Sequence, residues 1–166
     1  MSINTYTAFN SLENKYISRK VTESYYSILI GIIIFTIVGM GFYLQLNNLS
    51  LVIVNLIVIA VPIGIFIYKS TFKQANNINT IISTIYVTND EYRIQSYSFK
   101  STLFFLPPVE SVVKIGGILA EKVNFPYNED GLESDKKDTL CINIEGKKFY
   151  LLYKYFPASL LSELMP

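Results

Sequence analysis

The sequence predicts an α+β membrane protein, in which a two-helix transmembrane hairpin precedes a small antiparallel β barrel or sandwich that a C-terminal helix caps. Two patterns predict this fold. Residues 24–68 carry no charged side chain, whereas residues 81–153 alternate apolar with polar side chains and are rich in β-branched and aromatic residues. The first pattern is typical of membrane-spanning helices and the second of half-buried strands.

The uncharged stretch divides into two apolar segments, residues 25–46 and 51–68, on either side of Asn47-Asn48-Leu49-Ser50. At 1.5 Å per residue, helices of these lengths extend roughly 33 and 27 Å, close to the ~30 Å thickness of a hydrocarbon core. The alternative is a buried helical pair within a soluble domain. The rest of the chain is too short to enclose two helices that are apolar all round, so residues 25–68 are predicted to be a transmembrane hairpin.

Basic residues near the ends of the hairpin predict its orientation. Lys15, Arg19 and Lys20 precede the first segment, Lys69 and Lys73 follow the second, and the connecting turn has no basic residue. Positive charge is enriched on the cytoplasmic side of membrane proteins. Both termini are therefore predicted to be cytoplasmic.

Small and polar residues within the hairpin suggest how its helices pack. Gly31, Gly39, Gly41 and Gly64 allow helix backbones to approach closely, either within one hairpin or between copies of the chain. Asn55 either bonds the loop or the partner helix, or lines a path through the membrane. No acidic residue and no arginine lies within residues 25–68, so the hairpin is predicted to be an anchor rather than a pump or channel.

The segments that flank the hairpin are polar. Residues 1–24 are predicted to be a cytoplasmic N-terminal segment, helical from Ser11 toward Lys20. Residues 69–79 are predicted to be a linker, because Asn76-Asn77 favours the end of a helix. A cytoplasmic β domain is predicted over residues 80–166.

Short strands with turn residues between them make up most of this β domain. Predicted turns at Asn89-Asp90-Glu91, Gly116-Gly117 and Gly146 each join two strands into a hairpin. Apolar side chains at 140, 142 and 144 indicate one core-facing side of a strand, and residues 157–165 form an amphipathic helix. The predicted strands are residues 81–88, 92–97, 102–106, 111–115, 118–125, 139–145 and 147–153.

Composition excludes several classes of function. The net charge of +1 provides no basic footprint for a nucleic acid. The chain has no histidine, which removes histidine-dependent nucleophilic triads and most zinc sites. Cys141 is the only cysteine, so no internal disulfide forms, and its place in a strand favours a packing role over a reactive thiol. No catalytic, cofactor or metal site is predicted.

Acidic residues cluster in the loop over residues 126–137 and just beyond it. They lack the ligand spacing of a calcium-binding EF-hand loop, and Lys136-Lys137 intervene, so a solvated loop is predicted. These residues are Glu129, Asp130, Glu133, Asp135 and Asp138.

Five lysines are candidate contacts with the membrane surface: Lys69, Lys73, Lys147, Lys148 and Lys154. Lysines near an anionic leaflet each contribute about 1 kcal/mol of binding. The alternative is that they are scattered residues that keep the β domain soluble.

A second candidate surface is the apolar segment Leu103, Phe104, Phe105 and Leu106, which has more aromatic surface than a short strand requires. An exposed patch of this kind marks contact with a partner or with the bilayer interface. The alternative is burial in the core of the β domain.

The order of these elements resembles that of bacterial YcxB-like membrane proteins, in which a helical hairpin precedes a PH-like β domain. The similar stretches are residues 86–91 for the opening strand and turn, residues 109–115 for a middle strand, and residues 149–156 for the last strand and its exit into the helix. The resemblance implies a multi-pass protein of a bacterial plasma (inner) membrane, with a PH-like barrel or sandwich that binds or scaffolds other molecules and no catalytic residues.

The function predicted from these features is that of a non-enzymatic membrane protein whose cytoplasmic PH-like domain is a protein-binding or scaffolding module. The predicted partners are the lipid bilayer and either another protein or further copies of the chain. The alternative prediction is a membrane-anchored immunity protein that neutralises a toxin.

Overall fold

The computed structural model describes residues 3–45, 49–101, 104–115, 120–127 and 137–164. It shows an α+β chain in which two long apolar helices precede antiparallel sheets and a short C-terminal helix. The helices are α1 (Asn10–Leu12), α2 (Ser18–Gln45), α3 (Leu49–Asn79) and α4 (Ala158–Leu164), with a π-helical segment at Glu13–Ile17 and a 3-10 turn at Tyr153–Tyr155. The predicted helix from Ser11 toward Lys20 is confirmed, with its start at Asn10.

Helices α2 and α3 pack against each other in antiparallel fashion. A Cβ added at Gly31 would lie 2.5 Å from Cδ1 of Ile67, and one added at Gly39 would lie 2.9 Å from Cδ2 of Leu56. Close approach at these two glycines confirms the prediction of packing within the hairpin. Both helices are long and apolar enough to cross a membrane, with mean hydropathies of 2.3 and 2.8, and only 6% of each apolar window is buried.

Polar side chains within the helices bond to their own backbone. The Asn55 side chain donates to the carbonyl of Leu51 at 2.8 Å, and the Thr36 hydroxyl donates to the carbonyl of Ile32 at 2.8 Å. The acceptor of Asn55 therefore lies in its own helix, whereas the sequence predicts one in the loop or the partner helix.

Helix α3 continues well beyond its apolar segment. The sequence predicts a linker over residues 69–79, but the structure has helix there as far as Asn79. Thr71, Ala75 and Ile78 are buried along one side of this extension. Burial of Ala75 and Ile78 in the core of the β unit outweighs the weak helix preference of Asn76-Asn77, so no linker separates α3 from the sheets.

The N-terminal segment contributes a strand to the sheets. Residues 4–7 form β1 (Asn4–Thr7), which pairs antiparallel with β2 (Ile82–Val87). The Ala8 N–H donates to the carbonyl of Ser83 at 2.8 Å, and the Phe9 N–H donates to the carbonyl of Tyr155 at 2.8 Å. The segment predicted as a separate lead-in is thus hydrogen-bonded to both ends of the β unit.

The strands form three sheets. Besides β1 and β2, their strands are β3 (Glu91–Ser96), β4 (Phe99–Lys100), β5 (Phe105–Leu106), β6 (Glu110–Lys114), β7 (Ala120–Val123), β8 (Thr139–Ile144) and β9 (Lys147–Leu152). The first sheet has the order β1-β2-β3-β6, the second pairs β4 with β5, and the third has the order β7-β8-β9.

Two of the three predicted hairpins are confirmed. β2 and β3 pair around residues 88–91, where the Thr88 N–H donates to the carbonyl of Glu91 at 3.0 Å. β8 and β9 pair around Glu145 and Gly146, whose φ values of 50° and 81° are those of a tight two-residue hairpin turn.

The third predicted hairpin, around Gly116-Gly117, is wrong. β6 pairs with β3 and β7 pairs with β8, so the two strands belong to different sheets. β2 pairs with β1 along one edge and with β3 along the other, so β6 joins this sheet at the second edge of β3. The two glycines themselves lie outside the described residues.

A single hydrophobic core joins the two larger sheets. Ile85 and Ile94 contribute from the first sheet, Ile142 and Leu151 from the third, and Leu160 from α4. Between the sheets, Ile81 and Tyr150 form one parallel bridge, in which the Tyr150 N–H donates to the carbonyl of Thr80 at 2.8 Å. Among the strands that the structure describes, no closed barrel forms, so of the two predicted arrangements the barrel is not observed.

Candidate functional site

Three aromatic rings meet where α3 passes from its apolar segment to the β unit. Tyr68 stacks on Phe72 with ring centroids 5.8 Å apart, and the Phe104 ring stands edge-on to both, at 6.4 and 5.6 Å. We call Tyr68, Phe72 and Phe104 the junction cluster. These contacts place Phe104, the residue before β5, beside the end of the apolar segment of α3.

The short β4–β5 ladder holds Phe104 in this position. Phe99 pairs with Leu106, Lys100 pairs with Phe105, and the Ser101 N–H donates to the carbonyl of Phe104 at 2.8 Å. Phe99 is fully buried, so the ladder is fixed to the core beneath it.

The side chain of Asn79 ties the ladder to α3. Its Nδ2 atom donates to the carbonyl of Tyr97 at 3.1 Å and to the carbonyl of Pro107 at 2.7 Å. One amide therefore bonds the chain both before β4 and after β5. Sequence reasoning missed this role, because Asn79 was placed in a linker.

The predicted apolar patch is divided by the structure. Phe104 and Leu106 are partly buried and pack against the core, whereas Phe105 is 63% exposed. Leu103 lies outside the described residues. Phe104 and Leu106 therefore pack inward, as the burial alternative predicts, while Phe105 is exposed and its contact with a partner stays a prediction.

A cavity of about 160 Å³ opens beside the junction cluster. It is lined by Gly64, Ile67, Tyr68, Thr71 and Phe104. Thr71 is only 3% exposed, and its hydroxyl has no hydrogen-bond partner among the described residues. The Thr36 hydroxyl, by contrast, bonds to a carbonyl of its own helix, as threonine hydroxyls in helices often do.

The five candidate lysines do not share one surface element. Lys69 and Lys73 lie one turn apart on α3 next to the junction cluster, whereas Lys147 and Lys148 begin β9 and Lys154 lies in the turn after it. β9 bonds Thr80, the residue that follows α3, and Thr80 lies roughly 16 Å beyond Lys69 along the direction of the helix. Contact of the five lysines with a membrane surface stays a prediction.

An open cleft of about 750 Å³ lies on β7, β8 and β9. Its lining includes Glu121, Cys141, Lys148, Tyr150 and, from α4, Leu164. Burial raises the pKa of the Cys141 thiol, the Lys148 charge lowers it and the Glu121 charge raises it. The neutral thiol is therefore favoured at physiological pH, and Cys141 lacks the activation that a nucleophile requires.

Aromatic residues support one end of this cleft. The rings of Phe125, Tyr127 and Tyr150 stand edge-on to one another, with centroids 5.1 to 5.8 Å apart. The Tyr127 hydroxyl hydrogen-bonds the Thr80 hydroxyl at 2.8 Å. Burial raises the pKa of both Tyr127 and Tyr150, so both phenols stay neutral.

Of the five acidic residues predicted to form a solvated loop, only Asp138 is within the described residues. Its carboxylate accepts a hydrogen bond of 2.7 Å from the Tyr153 hydroxyl, which raises the pKa of that phenol. In the described part of the chain, no three histidine, cysteine or acidic residues come together as metal ligands.

No family model, no curated protein and no solved structure matches this chain. The similarity to YcxB-like proteins therefore stays a prediction from the residues quoted for it.

Proposed function

We propose that this chain is an integral protein of a bacterial plasma membrane, in which the α2–α3 hairpin anchors a cytoplasmic PH-like β unit that binds a protein partner and catalyses no reaction. The observation that carries the proposal is the pairing of β1 with β2, which builds both ends of the hairpin into one β unit.

The outer surfaces of the hairpin support its place in a bilayer. Large apolar side chains on both helices are exposed, and apolar surface left in water costs about 25 cal/mol per Å². A monomer in water does not leave such a continuous apolar surface uncovered. Examples are Ile30, Ile37 and Met40 on α2 and Ile57, Val61 and Ile65 on α3.

The β1–β2 ladder supports a topology with both termini on one side. Tyr6 lies opposite Ile85, so the chain before α2 and the chain after α3 are neighbours. A hairpin whose two ends meet in one sheet crosses the bilayer an even number of times. Arg19, Lys20, Lys69 and Lys73 flank these ends, which favours the cytoplasmic side.

The cleft on β7, β8 and β9 supports a binding role for the β unit. It brings side chains of opposite charge, Glu121 and Lys148, together with the aromatic ring of Tyr150. Charged groups around an aromatic anchor are suited to recognition of another protein. The raised pKa of Cys141 favours binding over thiol chemistry at this cleft.

Partner capture from the native host tests the binding role. The full tagged chain is purified in mild detergent, crosslinked and analysed by mass spectrometry beside a Glu121→Lys, Lys148→Glu double variant. The matched control is Lys122→Glu, since Lys122 follows Glu121 in β7 and points to the opposite face. We expect one partner to be lost from the double variant and kept by the control.

Equal partners in all three samples, or a chain that elutes alone, would overturn the binding role. A partner that is a toxin would instead favour the predicted immunity function.

Cysteine labelling tests the topology. In a Cys141→Ser background, Leu49→Cys should react with an impermeant maleimide on intact cells, whereas Lys137→Cys should react only after lysis. The reverse result would place the β unit outside the cell, and release of the protein from membranes by carbonate would refute the anchor.

A further inference from the structure

Exposed aromatic rings lie at one level of the hairpin, where the helices leave their apolar segments. Tyr68 and Phe72 on α3 are exposed, and so is Tyr26 on α2. Gly31 lies against Ile67 across the hairpin, and Tyr26 and Phe72 each follow this contact by five residues in the direction of the β unit. Tyr26 and Phe72 are therefore at about the same height. Aromatic rings at such a level are typical of a membrane–water interface.

The β4–β5 ladder reaches back to this level from the far end of α3. Asn79, the last residue of α3, bonds the carbonyls of Tyr97 and Pro107, which lie on either side of the ladder. Asn79 is roughly 10 Å beyond Phe72 along the helix axis, yet the ring of Phe104, the residue before β5, is only 5.6 Å from the ring of Phe72. The ladder therefore extends along α3 toward the apolar segment and not away from it.

The outward face of the ladder carries Phe105. Directly opposed residues of an antiparallel ladder point to the same side, so Phe105 shares a face with Lys100, and Leu106 shares the other face with Phe99. Phe99 is fully buried, whereas Phe105 and Lys100 are both exposed. One face of the ladder is thus fixed to the core, and the other presents an aromatic ring beside a long side chain that can extend its charge into water.

We propose that Phe105 inserts into the interfacial layer of the leaflet next to the β unit, so that the β4–β5 ladder is a second contact of this unit with the lipid surface. The Phe105 Cα atom is about 3.8 Å from that of Phe104, which places it at the level of the exposed aromatic rings. In a membrane, the neighbours of α3 at this level are lipid headgroups and the first carbons of acyl chains, and an aromatic ring gains free energy by leaving water there. The inference rests on the proposed membrane placement of the hairpin.

This contact has a consequence for the whole hairpin. Ala75 and Ile78 build α3 into the core of the β unit, so the β unit does not pivot separately from the helix. A lipid contact at Phe105, to one side of α3, therefore sets the tilt of the hairpin in the membrane, as interfacial side chains do in other membrane proteins.

Photocrosslinking in the full chain tests the contact. The photoreactive residue p-benzoylphenylalanine replaces Phe105, Val112 or Ile57, and adducts are identified by mass spectrometry in cell membranes and in vesicles of phosphatidylcholine and phosphatidylglycerol. Ile57 is exposed within the apolar segment of α3, so it reports membrane placement alone. Val112 is the matched control, because it is exposed on β6 and shares a solvated face with its strand neighbour Arg93. We expect phospholipid adducts at positions 105 and 57 and their loss at position 112.

A spin label tests whether the Phe105 ring holds the ladder at the membrane. The label is attached at Lys100→Cys in a Cys141→Ser background, and its accessibility to oxygen and to a water-soluble nickel complex gives its depth in the same vesicles. Phe105→Glu should shift the label toward water, because an anionic surface repels the added carboxylate. Phe105→Leu keeps an apolar side chain and should leave the depth unchanged. Phe105 is exposed, so both variants should fold, which circular dichroism checks.

Lipid adducts at position 57 but not at position 105 would overturn the contact and leave the membrane anchor in place. The same holds for equal lipid adducts at positions 105 and 112, for an unchanged label depth in Phe105→Glu, and for adducts of position 105 with a protein, which would show a protein interface. Absence of lipid adducts at both 57 and 105 would remove the membrane placement as well.

Discussion

Gly31 of α2 lies directly against Ile67 of α3, such that an added Cβ would be 2.5 Å from Cδ1 and 3.3 Å from Cγ1 of that isoleucine. The atom in closest contact is the tip of a flexible side chain. Ile67 therefore adjusts to a methyl group far more easily than to a branched side chain.

From this contact we predict a graded response at Gly31. Gly31→Ala should lower the free energy of unfolding only slightly, whereas Gly31→Leu should lower it by about 1–3 kcal/mol through overpacking. Thermal melting in detergent, monitored by circular dichroism, measures the effect of both substitutions. Gly41→Leu is the control, and a melting temperature for Gly31→Leu equal to that of this control would refute the tight crossing.

A second prediction concerns the N-terminal strand. Ala8→Pro removes the N–H that bonds Ser83, so the β1–β2 ladder should weaken by about 1–3 kcal/mol. In an antiparallel ladder, alternate residues bond outward, which leaves the Thr7 N–H facing away from β2. Thr7→Pro is the matched control, and hydrogen exchange of the β2 amides should accelerate only in Ala8→Pro.

A third prediction uses the absence of tryptophan from the chain. Phe105→Trp introduces a single tryptophan beside Phe104 of the junction cluster, and the proposed topology places this cluster at the bilayer surface. Brominated lipids should quench it strongly in nanodiscs. Val112→Trp, at an exposed position of β6, should be quenched much less, and equal quenching at both positions would contradict this placement.

A fourth prediction concerns alkaline pH. Burial and, second, the negative charge of Glu13 raise the pKa of Tyr97 from 10.0 to about 12. The folded chain thus holds the Tyr97 proton more tightly than the unfolded chain does. The contribution of protonated Tyr97 to the free energy of unfolding is therefore complete below pH 10 and is lost as the pH rises through about 12.

The melting temperature of the wild type should therefore fall more steeply between pH 10 and 12 than that of Tyr97→Phe. Glu13→Gln should reduce the slope in part. Parallel curves for the wild type and Tyr97→Phe would show that other tyrosines cause the loss.

The elements predicted correctly are those whose signals are local. The long uncharged stretch predicts α2 and α3, and the alternation of Leu140, Ile142 and Ile144 predicts the buried face of β8. The turn at Gly146 is also local, since its φ of 81° suits a residue without a side chain.

The missed elements depend on distant partners. β1 has four residues, too few for a periodic pattern, and its partner β2 lies almost eighty residues away. The extension of α3 does have a sequence signal, because Thr71, Ala75 and Ile78 have helical spacing. Asn76-Asn77 has the opposite local preference and predicts the end of the helix. The role of Asn79 could not be read from sequence, since its two acceptor carbonyls are brought together only by the fold.

The pairing of β1 with β2 also sets an order for biosynthesis. β1 leaves the ribosome before either apolar helix, yet its partner strand emerges only after both. The first sheet can therefore close only once both helices have been made and their ends lie side by side. Until then one edge of β2 lacks its partner strand, and an unpaired strand edge is a site of aggregation during folding.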